Sequence, residues 1–496
     1  MKHIGILLCI VISIFSGYSQ NGVFNIMDYG ALNDGVTLCS ASIQKTIDAC
    51  AKQGGGKVIV PPGKYLTGSL FLKSNITFEV YPGAELIFSD DIENCPIIDG
   101  KWEGIERKVY ASLFTGHDLD NVSIIGRGKI NGQGEKWWEA YYRTKALRKK
   151  MGINEREPNN PKGSPLKVPR PRLVNLYNCT NVLISELTFV DSPAWTIHPV
   201  YCENVVIEKI SIIQPYESPN TDGINPESCR NVRIIGCFVD VGDDCITIKS
   251  GYNEDGRRVG IPCENIVISD CTFANGRSAI GIGSEMSGGV KNVTISNCVF
   301  NGTLRGLRIK TNRDRGGTVE NYNASNIVMS NVETAISIDM YYGTKDETVV
   351  PVTEKTPHFK DIYISNIYAI DGVNSIEITG LPEAPVDNIS IINSSFKSTN
   401  GFNVDFVKNF SINNVTVDCN NGIPLSIGNA ETVSINDFRV GNLVLEQPVV
   451  QFNKVKDAFI TNCKVSKDTH VFLKATNSEG IEMQNNWLGS AKIIKE

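Results

Sequence analysis

The chain has 496 residues, 41% of them hydrophobic and 21% charged, which is enough apolar material for a large core and excludes a disordered chain. With 48 basic and 54 acidic residues the net charge is -6, which argues against a nucleic-acid coat. The 44 glycines and 21 prolines are too few for a collagen-like or low-complexity protein.

The N-terminus reads as a targeting segment. Lys2 and His3 precede an apolar run from Ile4 to Phe15, and Gly17-Tyr18-Ser19 offers small residues for cleavage before Gln20. Residues 1–19 are therefore expected to be a signal peptide and residues 20–496 one exported domain, periplasmic or secreted. The apolar run is short of the roughly 20 residues a membrane span needs, and no other stretch qualifies. Ser40 to Lys52 has Ile43, Ile47 and Cys50 on one helical face, followed by Gly54-Gly55-Gly56. The spacing predicts a helix there, placed to cap the open end of a solenoid.

From residue 121 onward one unit recurs: Asn or another polar residue, then alternating Val or Ile. It starts at Asn121, Asn181, Asn204, Asn231, Asn265, Asn292, Asn326, Asp361, Asn388, Asn409 and Thr432. The period of two and the β-branched content predict strands, and a second short strand follows, as in Cys271-Thr272-Phe273. Asn and Gly mark corners that tolerate positive φ. Such units bury their apolar side only by stacking, so the fold class is all-β, a single-domain parallel β-helix. Residues 133–172 interrupt the pattern and read as a long loop, in which Trp137-Trp138 suit either sugar stacking or anchoring. Trp195, His117 and His198 read as structural. Of 14 cysteines, none forms a CxxC pair, and loss of Cys9 leaves an odd number. Small buried thiols fit that pattern better than zinc or a disulfide framework.

Three acids stand at coil spacing. Asp222, in Asn220-Thr221-Asp222-Gly223, lies 21 residues before Asp243, in Gly242-Asp243-Asp244. Each alone would be an ordinary turn acid, but a solenoid returns the chain to the same side after one coil, with neighbouring coils about 4.8 Å apart. Acids so stacked can hold the roughly 6.5–9.5 Å gap that seats a water in an inverting glycosidase. Their mutual repulsion should leave one of them protonated as the acid. Gly283-Ser284-Glu285 and then Arg308-Ile309-Lys310 are expected from the next-but-one coils. Arg305, Arg308, Lys310, Arg313 and Arg315 form a cation cluster suited to a sugar carboxylate.

These motifs resemble glycoside hydrolase family 28, the polygalacturonases. The likeness extends over nearly the whole mature chain, including Tyr29-Gly30-Ala31, Pro61-Pro62-Gly63-Lys64-Tyr65, Ser192-Pro193-Ala194-Trp195, Lys249-Ser250-Gly251 and Gly283-Ser284-Glu285-Met286-Ser287. It implies a right-handed, pectin lyase-like β-helix and inverting, metal-free hydrolysis of pectin without a cofactor. It implies Asp243 as general acid, and Asp222 and Asp244 as the base that holds the water. Arg308 and Lys310 would bind the sugar carboxylate, and Tyr342, with Tyr341 beside it, would line a subsite. One motif departs: Gly276-Arg277-Ser278 stands where the family has Gly-His-Gly, which makes Arg277 a further substrate-binding candidate. The expected partner is a pectic oligo- or polysaccharide cut by exo-attack. A rhamnogalacturonan hydrolase, a calcium-dependent pectate lyase and a non-catalytic glycan-binding solenoid are the alternatives. The sequence does not define the oligomeric state.

Overall fold

The computed structural model describes residues 22–154, 160–344, 346, 348–441 and 447–496. The expected signal peptide lies outside these residues. Among those described, no helix is long and apolar enough to cross a membrane.

The chain winds as a parallel β-helix. One inward row runs Ile246, Ile280, Leu307, Ile336, Ile376 and Phe402, each in parallel register with the next. Two residues on, Ile248, Ile282, Ile309, Ile338, Ile378 and Val404 form a second such row. All of them are buried, and the residues between them face outward, as strand alternation requires. Each unit thus buries its apolar side against the coil above and below.

The recurring asparagines have a structural cause. Asn121, Asn181, Asn204, Asn231, Asn265 and Asn292 all sit at the same corner with φ of 56–58°. Each side-chain amide donates to the asparagine of the preceding coil, from Asn121 on Asn75 at 3.0 Å to Asn292 on Asn265 at 3.0 Å. Asparagine alone combines tolerance of the left-handed region with both a donor and an acceptor. Asn326, grouped with them by sequence, belongs instead to a second corner, where it bonds Asn297 and receives Asn366. All the cysteines among the described residues are buried free thiols.

The helix expected at the start is present as α1, Ser40–Lys52, with Ile43, Ile47 and Cys50 buried. The segment 133–172 differs from expectation. It contains α2, Glu135–Met151, rather than loop throughout. Its alanine, leucine, lysine and arginine residues are good helix formers, Gly152 ends it in the left-handed region, and Arg148, Lys149 and Lys150 complement the C-terminal dipole. Its apolar stripe is weak, which is why no helical period shows in the sequence.

A second excursion was not anticipated. Ile97–Trp102 and Ile105–Tyr110 pair as an antiparallel hairpin. Its far end reaches the short helix α3, Asn253–Val259: Gly104 accepts from the Tyr252 amide at 3.1 Å, and Glu106 pairs with Arg258 at 3.3 Å.

Candidate active site

The three acids converge on one strand face. Strand Asp244–Ile248 lies in parallel register between residues 224–227 and strand Ser278–Gly283. The amide of Gly223 donates to the Asp244 carbonyl at 3.0 Å, which sets Asp222 beside Asp244 on adjacent coils. Asp243 occupies the preceding turn, where its carboxylate accepts from the Asp244 amide at 3.1 Å. Arg308 and Lys310 come from strand Arg305–Lys310, the next coil after Ser278–Gly283. Glu285 therefore follows the coil directly adjacent to Asp244, and the cation pair the one after it. The expected order was one coil too wide, because the helix α3 consumes much of the intervening sequence.

The environment separates the acids electrostatically. Asp222 is buried and held by the Asn225 amide at 3.0 Å. Burial and then the neighbouring Asp243 push its carboxyl well above the usual range, against the pull of Lys249. Burial and repulsion from Asp244 also raise Asp243, with Arg277 and Lys310 opposing. Asp244 goes the other way. Burial alone would raise it, but Lys310, 2.7 Å from its carboxylate, together with Arg308 holds it well below the ordinary range. The site thus sets one carboxylate held ionised, Asp244, beside two carboxyls, Asp222 and Asp243, whose affinity for a proton is raised.

Lys249 was quoted in a motif without a role. Its buried ammonium lies 3.0 Å from the Glu285 carboxylate and 4.7 Å from the Trp195 ring centre. Burial would lower Lys249, but Glu285 and Asp222 outweigh it and keep it charged.

The cation cluster divides. Arg305 pairs with Glu333 at 2.6 Å and Arg313 with Glu383 at 2.6 Å, while Arg315 bonds the Ser284 carbonyl at 2.9 Å. Lys310 is committed to Asp244. Arg308 has no carboxylate within ion-pair distance among the described residues; it bonds the Ser278 hydroxyl at 3.4 Å and acts on Asp244 and Asp339 at longer range. The Tyr342 ring lies 5.5 Å from the Arg308 guanidinium and 5.4 Å from the Lys310 ammonium. Tyr342 is 36% exposed whereas Tyr341 is buried, so Tyr342 is the ring that faces solvent. Arg277 lies 3.6 Å from Asp243 and is 63% exposed.

Two structures rise on the N-terminal side of the acids. Trp102 of the hairpin stacks on Trp195, with ring centres 5.1 Å apart and planes 17° from parallel. Beneath it, the side chains of Lys101 and Glu227, both 0% exposed, meet at 2.9 Å. Glu227 also reaches His198 at 3.0 Å, and Lys101 bonds the Tyr201 hydroxyl at 2.8 Å. From α2, Trp138 donates to the Ser192 carbonyl at 3.0 Å and Trp137 is buried edge-on against Tyr110. Both tryptophans anchor the excursion. The returning chain carries the buried Arg170, which donates to the carbonyls of Pro193 and Pro219 and to the Asn220 side chain, at 2.7, 2.9 and 2.7 Å. Asn220 is two residues from Asp222, so α2 is tied to the loop that carries the acid. A cavity of about 80 Å3 lies between the hairpin and α2, lined by Trp102, Tyr141 and Arg170 among others.

Comparison with known proteins decides the family. The profile of "Glycosyl hydrolases family 28" matches residues 50–375. The chain belongs to this family. It is 34% identical over 384 residues to a "Probable polygalacturonase" of Vitis vinifera, covering 74% of this chain and 73% of that protein. It is 28% identical to an "Exo-poly-alpha-D-galacturonosidase" of Dickeya chrysanthemi, with 76% and 67% covered. Among solved structures, an exopolygalacturonase from Thermotoga maritima aligns with a TM-score of 0.72 and 35% identity over 80% of this chain and 91% of that one. The family 28 protein is a glycoside hydrolase of the polygalacturonase group with a right-handed parallel β-helix fold. Membership favours the hydrolase over the lyase and the non-catalytic readings.

Proposed function

We propose that this family 28 enzyme removes galacturonate from the end of a pectic chain with inversion. Asp243 protonates the glycosidic oxygen as the C–O bond breaks. Water attacks the anomeric carbon from the opposite face; Asp222 and Asp244 hold it, and Asp244, the ionised member of the pair, takes its proton. Arg308 and Tyr342 hold the sugar that carries the carboxylate. Lys310 keeps Asp244 ionised, and its two remaining donors are available to the same sugar. Arg277 biases Asp243 toward proton release.

The observation that carries this reading is the split among the acids. A hydrolase of this kind needs a carboxylate that stays charged and a carboxyl that stays protonated, and here the difference follows from one lysine placed against Asp244 and not against Asp243. For substrate charge the support is Arg308, a cation with no carboxylate within ion-pair distance among the described residues, beside an exposed tyrosine. For exo-attack the support is the pair of walls. The hairpin and α2 stand on the side of Asp222 toward the N-terminal coils, where a continuing polymer would collide with Trp102.

Early products from polygalacturonate test the mode. The expected result is release of monosaccharide with little loss of viscosity. A rapid viscosity drop with mixed oligomers refutes exo-attack. Release of the β-anomer, followed by NMR, is the expected mark of inversion at an α-linked galacturonate.

A further inference from the structure

The strand face that carries the cations continues for several coils past them. In parallel register, Lys310 is followed by Asp339, Thr379 and Asp405. Arg308 is followed by Ser337, Glu377 and Asn403. These positions alternate with the inward rows at Ile338, Ile378 and Val404, so they share the outward face of Arg308 and Lys310. Glu377 and Asp405 have no ion-pair partner among the described residues, whereas Asp339 is partly offset by Arg308 and Arg305. Asp339 accepts only from the Tyr341 amide at 2.8 Å, and Asp405 from the Phe406 amide at 3.1 Å and the Asn429 side chain at 2.8 Å. Cations on the two rows stop at Lys310 and resume only at Lys474, six coils beyond Arg308.

The walls on the other side leave the leaving group only this face to lie along. Its first unit meets Arg308 and Lys310. Units further on meet Glu377, about 10 Å beyond Arg308, and Asp405, about 14 Å beyond Lys310, at one coil per roughly 4.8 Å. A polyuronate would bring a carboxylate to each, in a groove where like charges are incompletely screened.

We propose that Glu377 and Asp405 act as specificity determinants, selecting an aglycone that is uncharged beyond its first unit. This rests on the exo-acting uronate reading above. The chemical class is a galacturonate-terminated oligosaccharide whose later units are neutral, whether neutral sugars or esterified uronates. The acids work by repulsion and need contact no substrate atom, so this is discrimination against a competitor rather than a binding site.

The test compares galacturonate tetramers that are free acids throughout with tetramers methyl-esterified on the two units nearest the reducing end. A second neutral tetramer carries neutral sugars at those positions. Reactions run at low ionic strength with a chelator present, so that calcium cannot bridge carboxylates. The neutral forms should show kcat/KM higher by about threefold for each charge removed, from like charges some 6 Å apart in a water-rich groove. The double variant Glu377→Gln/Asp405→Asn should raise kcat/KM on the free acid to near that on the ester and leave the ester unchanged. High salt should erase the preference in the parent enzyme, which provides a readout independent of whether the variant folds. Equal kcat/KM on charged and neutral forms at low salt overturns this proposal alone. An enzyme that removes the terminal galacturonate from none of the tetramers overturns the reading beneath it, and this proposal with it.

Discussion

The hairpin is held over the coils by an ion pair with no solvent exposure, and that makes a sharp prediction. Lys101→Met removes the ammonium 2.9 Å from the Glu227 carboxylate. At an effective dielectric near 20 the lost attraction is about 6 kcal/mol gross. Relief of the lysine's own burial offsets part of it, and removing one partner of a buried pair typically costs about 3–5 kcal/mol net. A further offset comes from His198, whose pKa is pushed down to about 4 by burial and Arg172, with Lys101 also pulling it lower. With Lys101 gone, His198 can take a proton and pair with Glu227. The expected loss therefore lies at the lower end, about 3 kcal/mol, read from the denaturant midpoint. Glu227→Gln added to Lys101→Met should recover most of it, because no charge is then left buried. Cleavage by protease should move to residues 97–110 in the single variant, and products from polygalacturonate should shift from monomer toward mixed oligomers as the wall loosens. A single variant within about 1 kcal/mol of the parent, or a double variant no better than the single, refutes the argument that this pair clamps the wall.

Replacing Asp243 by Asn should lower kcat by about 10²–10⁴-fold with the fold intact, measured as reducing-sugar release. Asp244→Asn should cause a comparable loss and also leave Lys310 buried without its charge partner, so it should lower stability where Asp243→Asn does not. Arg308→Ala should reduce kcat/KM on a uronate far more than on its methyl ester, and equal losses would make Arg308 structural. Activity should fall along an alkaline limb as Asp243, whose carboxyl is raised, gives up its proton. Arg277→Gln removes a cation that lowers Asp243, so that limb should move to higher pH in kcat/KM. Ile246→Ala opens a cavity within an inward row and should cost about 2–5 kcal/mol in thermal or chemical unfolding.

The solenoid was legible because its repeat is chemical as well as periodic. Asparagine at each corner, followed by Val or Ile at alternate positions, satisfies both the left-handed turn and the inward row, and few other residue choices do. Asp222, Asp243 and Asp244 were legible for a related reason: coil spacing converts distance along the chain into proximity. What the sequence hid lies outside the repeat. Helix α2 is polar on most of its surface, so it shows no apolar stripe. The hairpin at 97–110 has strand composition but no repeat partner, and nothing in Lys101 signals Glu227. Within the repeat, the resemblance singled out Arg308 and Lys310, but nothing in the sequence told what the other cations pair with. Only the packed coils show that Arg305, Arg313 and Arg315 are tied into the scaffold, that Lys310 pairs with Asp244, and that Arg308 has no carboxylate within ion-pair distance among the described residues.

Asp243 and Asp244 show why a solenoid suits this chemistry. They are consecutive in sequence and share nearly the same depth, so burial raises both. Position on the strand separates them. Asp244 faces outward from a strand whose second neighbour brings Lys310 to within 2.7 Å, across 66 residues of chain. Asp243, in the turn, meets Lys310 and Arg277 only at longer range and stays raised. A turn-strand junction thus shifts two carboxyls one residue apart in opposite directions, without a second acid having to be brought from elsewhere. The stacked coils then supply the rest of the machinery from fixed registers: Asp222 from the coil before, Ser278 from the coil after, and Arg308 and Lys310 from the next. Because every contact is set by strand register, a change in loop length between coils leaves the site intact. That freedom is what allows the excursions at 97–110 and 133–172 to build walls at one end without disturbing the acids.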